Sequence, residues 1–146
     1  MVENLKLGGA KVEHLDGDLI RHIFPKTGFS RQERELHIER VGYVASLLEK
    51  NEINVVVTLI SPYRASREFV RKLCKNFIEV YIATPLAICE KRDVKGLYAK
   101  ARSGAIQNFT GISDPYEPPL KAELILNTEV LSITQSVDKI LQHLNK

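Results

Sequence analysis

The sequence predicts an α/β domain with a parallel sheet, and three observations lead to this prediction. Apolar, β-branched runs of strand length alternate along the chain with stretches of helical periodicity. Such alternation is typical of βαβ units, whose parallel strands are joined by right-handed crossovers. The strand-like runs end abruptly in polar residues, and 146 residues with 44% hydrophobic content are enough for one domain with its own core.

Composition and charge restrict the class of ligand. The net charge of +3 suits an anionic small molecule, and no run of five or six like charges indicates a nucleic-acid-binding tail. The apolar stretches are far shorter than the roughly 20 residues of a membrane span. Residues 1 to 10 lack the features of a signal peptide, and Cys74 and Cys89 have no metal-binding or CxxC spacing. We therefore predict a cytoplasmic protein without nucleic-acid or membrane partners.

The first part of the chain is predicted to be helical around one short strand. Residues 1 to 9 form a helix that ends in a Gly-Gly pair. Residues 11 to 15 alternate polar and apolar and lead, as a strand, into Asp16-Gly17-Asp18. Residues 18 to 23 form a brief helix, which Pro25 to Gly28 break.

A long helix is predicted next. Ser30 followed by Glu33 is a capping-box signature, which indicates a helix of about 21 residues running to Lys50. Its periodicity predicts a buried side made of Leu36, Val41, Val44, Leu47 and Leu48.

Residues 54 to 60 are an apolar run that predicts a buried strand. The run ends in Ser61-Pro62-Tyr63-Arg64. In open parallel α/β sheets, ligands bind outside the carboxyl ends of the strands. We therefore expect this polar cluster and Asp16-Gly17-Asp18 to form a site at the same edge of the sheet.

The remaining elements continue the alternation. Ser61 and Pro62 are predicted to start a helix, with charges on one side between Arg67 and Lys75 and with Phe69, Val70 and Leu73 on the other. The segment 95–120 is rich in glycine and proline, and such a long irregular stretch is typical of a lid. Strands are predicted at 77–83 and 123–127, and helices at 86–92, 97–103 and 133–144.

Two kinds of charged residue at the strand ends could carry chemistry. Asp16 and Asp18 could hold Mg²⁺ through water or accept a proton from an attacking hydroxyl, although they are equally typical of an ordinary Asp-Gly turn. Arginines follow the strand ends or lie on the adjoining helices, where they could bind phosphate or sulfate or be solvated: Arg21, Arg34, Arg40, Arg64 and Arg67.

Loop aromatics and a basic lid complete the candidates. Phe29, Tyr63 and Phe109 lie in predicted loops, where they could stack on a base or cover the edge of the core. Lys95 and the basic residues after it could close over a polyphosphate or belong to a solvated surface loop. None of the histidines has metal-ligand spacing.

As an ordered set, these motifs resemble the adenylylsulfate kinase family of P-loop kinases over about residues 10 to 144. The resemblance implies a P-loop kinase-like three-layer sandwich with a parallel sheet, and a homodimer. It also implies a reaction in which ATP phosphorylates the 3′-hydroxyl of adenosine 5′-phosphosulfate during sulfate assimilation. The motifs are Leu-Asp-Gly-Asp at 15–18, Gly-Phe-Ser at 28–30, Ile-Ser-Pro-Tyr-Arg at 60–64, Lys-Gly-Leu-Tyr at 95–98, and Asn-Phe-Thr-Gly-Ile with Asp-Pro-Tyr-Glu-Pro-Pro within 108–119.

The resemblance also implies a role for each matched residue. Asp16 and Asp18 would lie by the acceptor hydroxyl and Mg²⁺, one of them as the base, and Phe29 and Phe109 would sandwich the adenine. Lys95 would belong to the lid. Arg92 would lie near ATP, and the phosphosulfate would be held by Arg21, Arg34 and the segment Ile60, Ser61, Pro62, Tyr63 and Arg64.

Two departures from the family pattern affect these expectations. His37 stands where the family usually has asparagine, and no Gly-x-x-x-x-Gly-Lys-Ser/Thr motif occurs in the 146 residues. We expect that the chain starts after the central first strand and phosphate loop, and that its kinase activity is very low. There are two alternatives. One is a non-catalytic remnant that keeps only the adenylylsulfate site, and the other is a kinase that phosphorylates another acceptor.

Overall fold

A computed structural model describes residues 1–24 and 27–145, and the chain divides into two compact units, Met1–Phe77 and Ile78–Lys146. Pro25, part of the predicted break after the second helix, lies outside the described residues. No helix among the described residues is long and apolar enough to cross a bilayer.

The first unit is built around one pair of parallel strands. Val12 pairs with Asn54 and Asp16 with Thr58, so both strands end at the same edge. This is the parallel arrangement that the sequence predicts. The elements of the unit are α1 (Val2–Leu7), β1 (Val12–Asp16), α2 (Gly17–Ile23), α3 (Arg31–Lys50), β2 (Asn54–Thr58) and α4 (Arg64–Leu73).

Helix α3 begins with the predicted capping box. The Ser30 hydroxyl accepts a hydrogen bond from the Glu33 amide, and the Glu33 carboxylate accepts one from the Ser30 amide. The core of the unit lies between α3 and the strand pair, with Leu15, Val41 and Ala45 at its centre.

The buried side predicted for α3 is only partly correct. Leu36 is 44% exposed and Leu47 is 42% exposed, whereas Ile38 is buried. At about 100° per residue, Leu36 and Leu47 lie on the opposite side of the helix from Ile38. The stripe that packs on the sheet therefore passes through Ile38, Val41 and Ala45.

The prediction that β2 is a buried strand extending to residue 60 is wrong. The strand ends at Thr58, and Val57 is 40% exposed. The reason is that β2 has β1 as its hydrogen-bonded neighbour on one side only, among the described strands. Helix α4 also differs from the prediction, because Arg67 on its supposed charged side is buried and Phe69 is 43% exposed.

The second unit contains another parallel pair. β3 (Val80–Ile82) pairs with β4 (Leu124–Leu126), and the Leu126 side chain is fully buried. Both strands are shorter than predicted. The helices of this unit agree with the predicted positions to within one residue: α5 (Leu86–Arg92), α6 (Leu97–Arg102) and α7 (Ile133–Leu144).

Candidate active site

A cavity of about 360 Å³ opens at the carboxyl ends of β1 and β2, within the first unit. This volume is in the range that small-molecule ligands occupy. The side chains of two aspartates, two arginines and one histidine meet there around a short apolar wall. The lining residues are Asp16, Gly17, Asp18, Arg21, Phe29, Arg34, His37, Ile38, Thr58, Leu59, Ile60, Ser61 and Pro62.

Asp16 is a fixed anion that joins three parts of the cavity. Its Oδ1 caps α2 by accepting hydrogen bonds from the amides of Asp18 at 3.0 Å and Leu19 at 3.1 Å. Its Oδ2 accepts a hydrogen bond from the Thr58 hydroxyl at 3.1 Å. The Leu19 amide is the main cause that lowers the pKa of Asp16, so the carboxyl group is ionised at neutral pH.

Asp18 lies in the first turn of α2 and lines the cavity. The amides at the start of this helix donate to Asp16, so the N-terminal cap is formed by the Asp16 carboxylate. Asp16 and Asp18 therefore both line the cavity, and it is Asp16 that also caps the helix.

Two guanidinium groups hold the loop that forms another wall. Arg21 Nη1 donates to the carbonyl oxygen of Gly28 at 2.6 Å, and Arg34 Nε donates to that of Phe29 at 2.8 Å. The guanidinium carbons lie 4.6 and 5.3 Å from the centroid of the Phe29 ring. Burial and the like charge of Arg34 lower the pKa of Arg21. An anion in the cavity would relieve this repulsion.

The segment after β2 is held in an unusual backbone conformation. Ser61 has φ of 43°, in the left-handed region that ordinary residues rarely adopt. Its carbonyl oxygen accepts a hydrogen bond from Nη1 of the buried Arg67 at 2.6 Å. Pro62 is buried beside it. Arg67 thus fixes the wall that Ile60 to Pro62 form.

Tyr63 and Arg64 are placed differently from the rest of this predicted segment. The Tyr63 ring is 1% exposed, lies 4.4 Å below the Arg31 guanidinium carbon, and is not among the residues that line the cavity. Arg64 begins α4, is exposed, and does not line the cavity either. Their predicted part in substrate binding stays a prediction.

Three predicted site residues belong to the second unit. Arg92 donates to the hydroxyl and carbonyl oxygens of Thr128 at 2.9 and 2.7 Å. The Phe109 ring packs edge-on against Tyr98, with centroids 5.1 Å apart, and Lys95 is exposed. The predicted adenine sandwich of Phe29 and Phe109, and the lid and ATP roles, stay predictions.

Sequence reasoning misses some of the lining residues. Thr58 is part of β2 and the sequence predicts it only as strand, and His37 stands out in the sequence only as a departure from the family pattern. The signal for His37 is its spacing, since it follows Arg34 by three residues and therefore lies on the same helical face.

The described residues contain no group of three or more histidine, cysteine, aspartate or glutamate side chains placed to hold a metal ion. Mg²⁺ needs no such cage, because it commonly uses one or two carboxylates together with water and ligand phosphates. Asp16 and Asp18 provide donors of that kind, so the residues fit Mg²⁺ that enters with a phosphorylated ligand.

Comparisons with known proteins agree on one family. The family model described as Adenylylsulphate kinase matches residues 1–127. The chain is 49% identical over 145 residues to the adenylyl-sulfate kinase of Synechococcus sp. (strain JA-2-3B'a(2-13)), which covers 99% of this chain and 83% of the relative. The corresponding enzyme of Rippkaea orientalis is 48% identical over 145 residues, covering 99% of this chain and 80% of the relative.

A solved structure gives the same result for the fold. The Mycobacterium tuberculosis APS kinase CysC in complex with AMPPNP and APS matches with a TM-score of 0.94 and 38% identity, over 99% of this chain and 86% of that chain. This similarity confirms the predicted α/β fold class with parallel strands.

Proposed function

We propose, from the premise that this chain belongs to the adenylylsulfate kinase family, that its cavity binds adenosine 5′-phosphosulfate as the acceptor of a phosphoryl group. The reaction transfers the γ-phosphate of ATP to the 3′-hydroxyl and yields ADP and 3′-phosphoadenylylsulfate. The observation that carries the proposal is the meeting of Asp16, Asp18, Arg21 and Arg34 in one cavity at the ends of two parallel strands.

The two arginines suit the phosphosulfate group. Their guanidinium groups are already oriented by the carbonyl oxygens of Gly28 and Phe29, so little side-chain freedom is lost on binding. Phosphate and sulfate oxygens accept paired hydrogen bonds from such planar groups. The half-exposed Phe29 ring offers a flat apolar surface for the adenine.

The two aspartates have different roles in this proposal. Asp16 is held by three hydrogen bonds that favour its ionised form, so it is a poor proton acceptor and a good fixed anion. We assign the proton of the 3′-hydroxyl to the Asp18 carboxylate. As the hydroxyl oxygen forms its bond to the γ-phosphorus, its proton passes to Asp18 and the electrons of the broken bond leave with ADP.

Mg²⁺, when bound with ATP, would neutralise developing charge on the transferred phosphoryl group. Asp16 and Asp18 would be its protein ligands, directly or through water.

Fewer of the predicted site residues concern the ATP side of the reaction than the acceptor side. The second candidate is a binding protein that keeps the adenylylsulfate site without turnover, and what supports it is that the residues brought together in the cavity are those expected to hold the acceptor. Arg92 near ATP, and Lys95 and Phe109 on a lid over the acceptor, complete the proposal for the kinase. A homodimer and a cytoplasmic location are also proposed.

Two measurements on the same chain separate the candidates. Isothermal titration with adenylylsulfate tests the acceptor site, and a coupled ADP-release assay tests turnover. Binding with turnover supports the kinase, binding without turnover supports the second candidate, and no preference for adenylylsulfate over plain nucleoside monophosphates contradicts both.

The base is tested by Asp18→Asn, with Glu13→Gln on the neighbouring strand β1 as the matched control. We expect about a 10²- to 10⁴-fold lower turnover with adenylylsulfate affinity changed much less, because general-base catalysis contributes on this order. An Asp18→Asn variant with unchanged turnover would contradict the assignment of Asp18.

A further inference from the structure

His37 is a buried residue of the cavity whose ring nitrogens have no partner among the described residues. The side chain is 1% exposed, and it lines the cavity with Arg21 and Arg34. Neither Nδ1 nor Nε2 makes a hydrogen bond in the part of the chain that the structure describes. Buried polar atoms of folded proteins nearly always have a partner, so this ring is expected to take one from the contents of the cavity, which are water in the free protein and the ligand in the complex.

The groups around the ring decide its charge. Burial is the main cause that lowers the pKa of His37, and the guanidinium groups of Arg21 and Arg40 add to it. The Gly17 backbone lies close enough to favour the protonated ring, but without hydrogen-bond geometry. The other charged groups that line the cavity are Asp16 from the end of β1, Asp18 from α2 and Arg34 from α3. The ring is therefore neutral at pH 7 in the free protein.

We propose that His37 gives the acceptor site a proton-linked contact, in which the ring donates an N–H to the anionic group of the ligand and takes up a proton from solvent as that group is bound. This inference rests on the proposed function. The proton adds to the ring nitrogen that is unprotonated in the neutral form, and no bond of the ligand is broken. An asparagine amide at this position could donate the same hydrogen bond but could not take up the proton.

The sign of the pH dependence follows from the two protonation states. A bound dianion stabilises the imidazolium, so the ring holds more proton in the complex than in the free protein. Affinity is then highest below the pKa of the free protein and is lost as pH rises through the pKa of the complex. Each unit between these two pKa values is a ten-fold change in the dissociation constant.

The test is titration calorimetry with adenylylsulfate between pH 5.5 and 8.5, in buffers of different ionisation enthalpy. Both acid groups of this probe stay ionised throughout, so the ligand itself does not titrate. We expect about ten-fold tighter binding at pH 5.5 than at pH 8, with net proton uptake. His37→Asn is expected to bind with little pH dependence, and His22→Asn, on α2 outside the cavity, is expected to behave like the wild type.

A second measurement needs no variant. Histidine NMR on the wild-type chain should show one ring, that of His37, whose pKa rises when adenylylsulfate is added. A dissociation constant independent of pH, the same pH slope in His37→Asn, or an unchanged ring pKa would each overturn the inference and leave the proposed function standing. Failure to bind adenylylsulfate at pH 8, where His37 is neutral, would overturn the proposed function as well.

Discussion

Replacing Arg34 by lysine is the sharpest test of the anion-binding wall. Arg34 is 7% exposed, lines the cavity, and uses its Nε to hold the carbonyl oxygen of Phe29 at 2.8 Å. Lysine keeps the charge but has a single nitrogen in place of the planar fork. Its one ammonium nitrogen cannot occupy both the position from which Nε holds the loop and the position from which a terminal guanidinium nitrogen would reach the ligand, so we expect one of the two bonds to be lost.

The magnitude follows from what is lost. A hydrogen bond to a charged group contributes about 1.5–3 kcal/mol. If lysine keeps the bond to the loop and loses one such bond to the phosphosulfate, this energy corresponds to adenylylsulfate binding about 10- to 150-fold more weakly. If lysine instead bonds the phosphosulfate and no longer bonds the carbonyl oxygen of Phe29, the free energy of unfolding falls by the same amount and the Phe29 wall becomes disordered.

Titration calorimetry and chemical denaturation on the same sample distinguish these two outcomes. The matched control is Arg31→Lys, the same substitution three residues earlier on α3. The Arg31 side chain is 58% exposed, pairs with Glu35 at 2.9 Å and lies outside the cavity, so its loss is expected to cost less than about 1 kcal/mol. Adenylylsulfate affinity and stability of Arg34→Lys that both match those of Arg31→Lys would refute the role of Arg34.

Two further predictions concern stability. Gly42→Ala should lower the free energy of unfolding by about 1–3 kcal/mol in chemical denaturation, because the added Cβ would lie 2.5 Å from Cγ2 of Val70 on α4; unchanged stability would contradict this close packing of α3 on α4. Acid should lower the melting temperature in two steps. The first begins below about pH 6.5, where the unfolded chain protonates His37 before the folded chain does, and it should be missing in His37→Asn. The second begins below about pH 4.5, because amide and hydroxyl donors lower the pKa of Asp16, Glu33 and Asp93 in the folded chain; a melting temperature that does not fall there would contradict it.

Local signals in the sequence locate most of the helices. The Ser30–Glu33 capping box and the proline at residue 85 fix helix starts through contacts within a few residues, so α3 and α5 agree with the prediction. Burial depends on neighbours that are distant in sequence. The exposure of Val57 could not be predicted from its apolar run, since it depends on which strands flank β2.

The same distinction applies to the cavity. Motif order places Asp16, Arg21 and Arg34 in one site because the ends of parallel strands and their following helices converge there. The burial of Tyr63 could not be predicted from sequence, because it depends on contacts with residues that are distant in the chain, such as the Arg31 guanidinium over its ring. The missing hydrogen bonds of His37, among the described residues, depend on the final geometry of the whole pocket.

Helix α2 links the acid and basic halves of the cavity. Its N-terminus is capped by Asp16, and one turn further on it carries Arg21, which holds the loop at Gly28. Because Thr58 at the end of β2 also donates to Asp16, the two strand ends, the helix and the loop share one set of hydrogen bonds. The hydrogen bonds at the end of the sheet thus fix the start of α2, and with it the position of the Arg21 guanidinium. A donor that is already held in place favours binding of an anion, because its side chain loses little conformational freedom when the ligand binds.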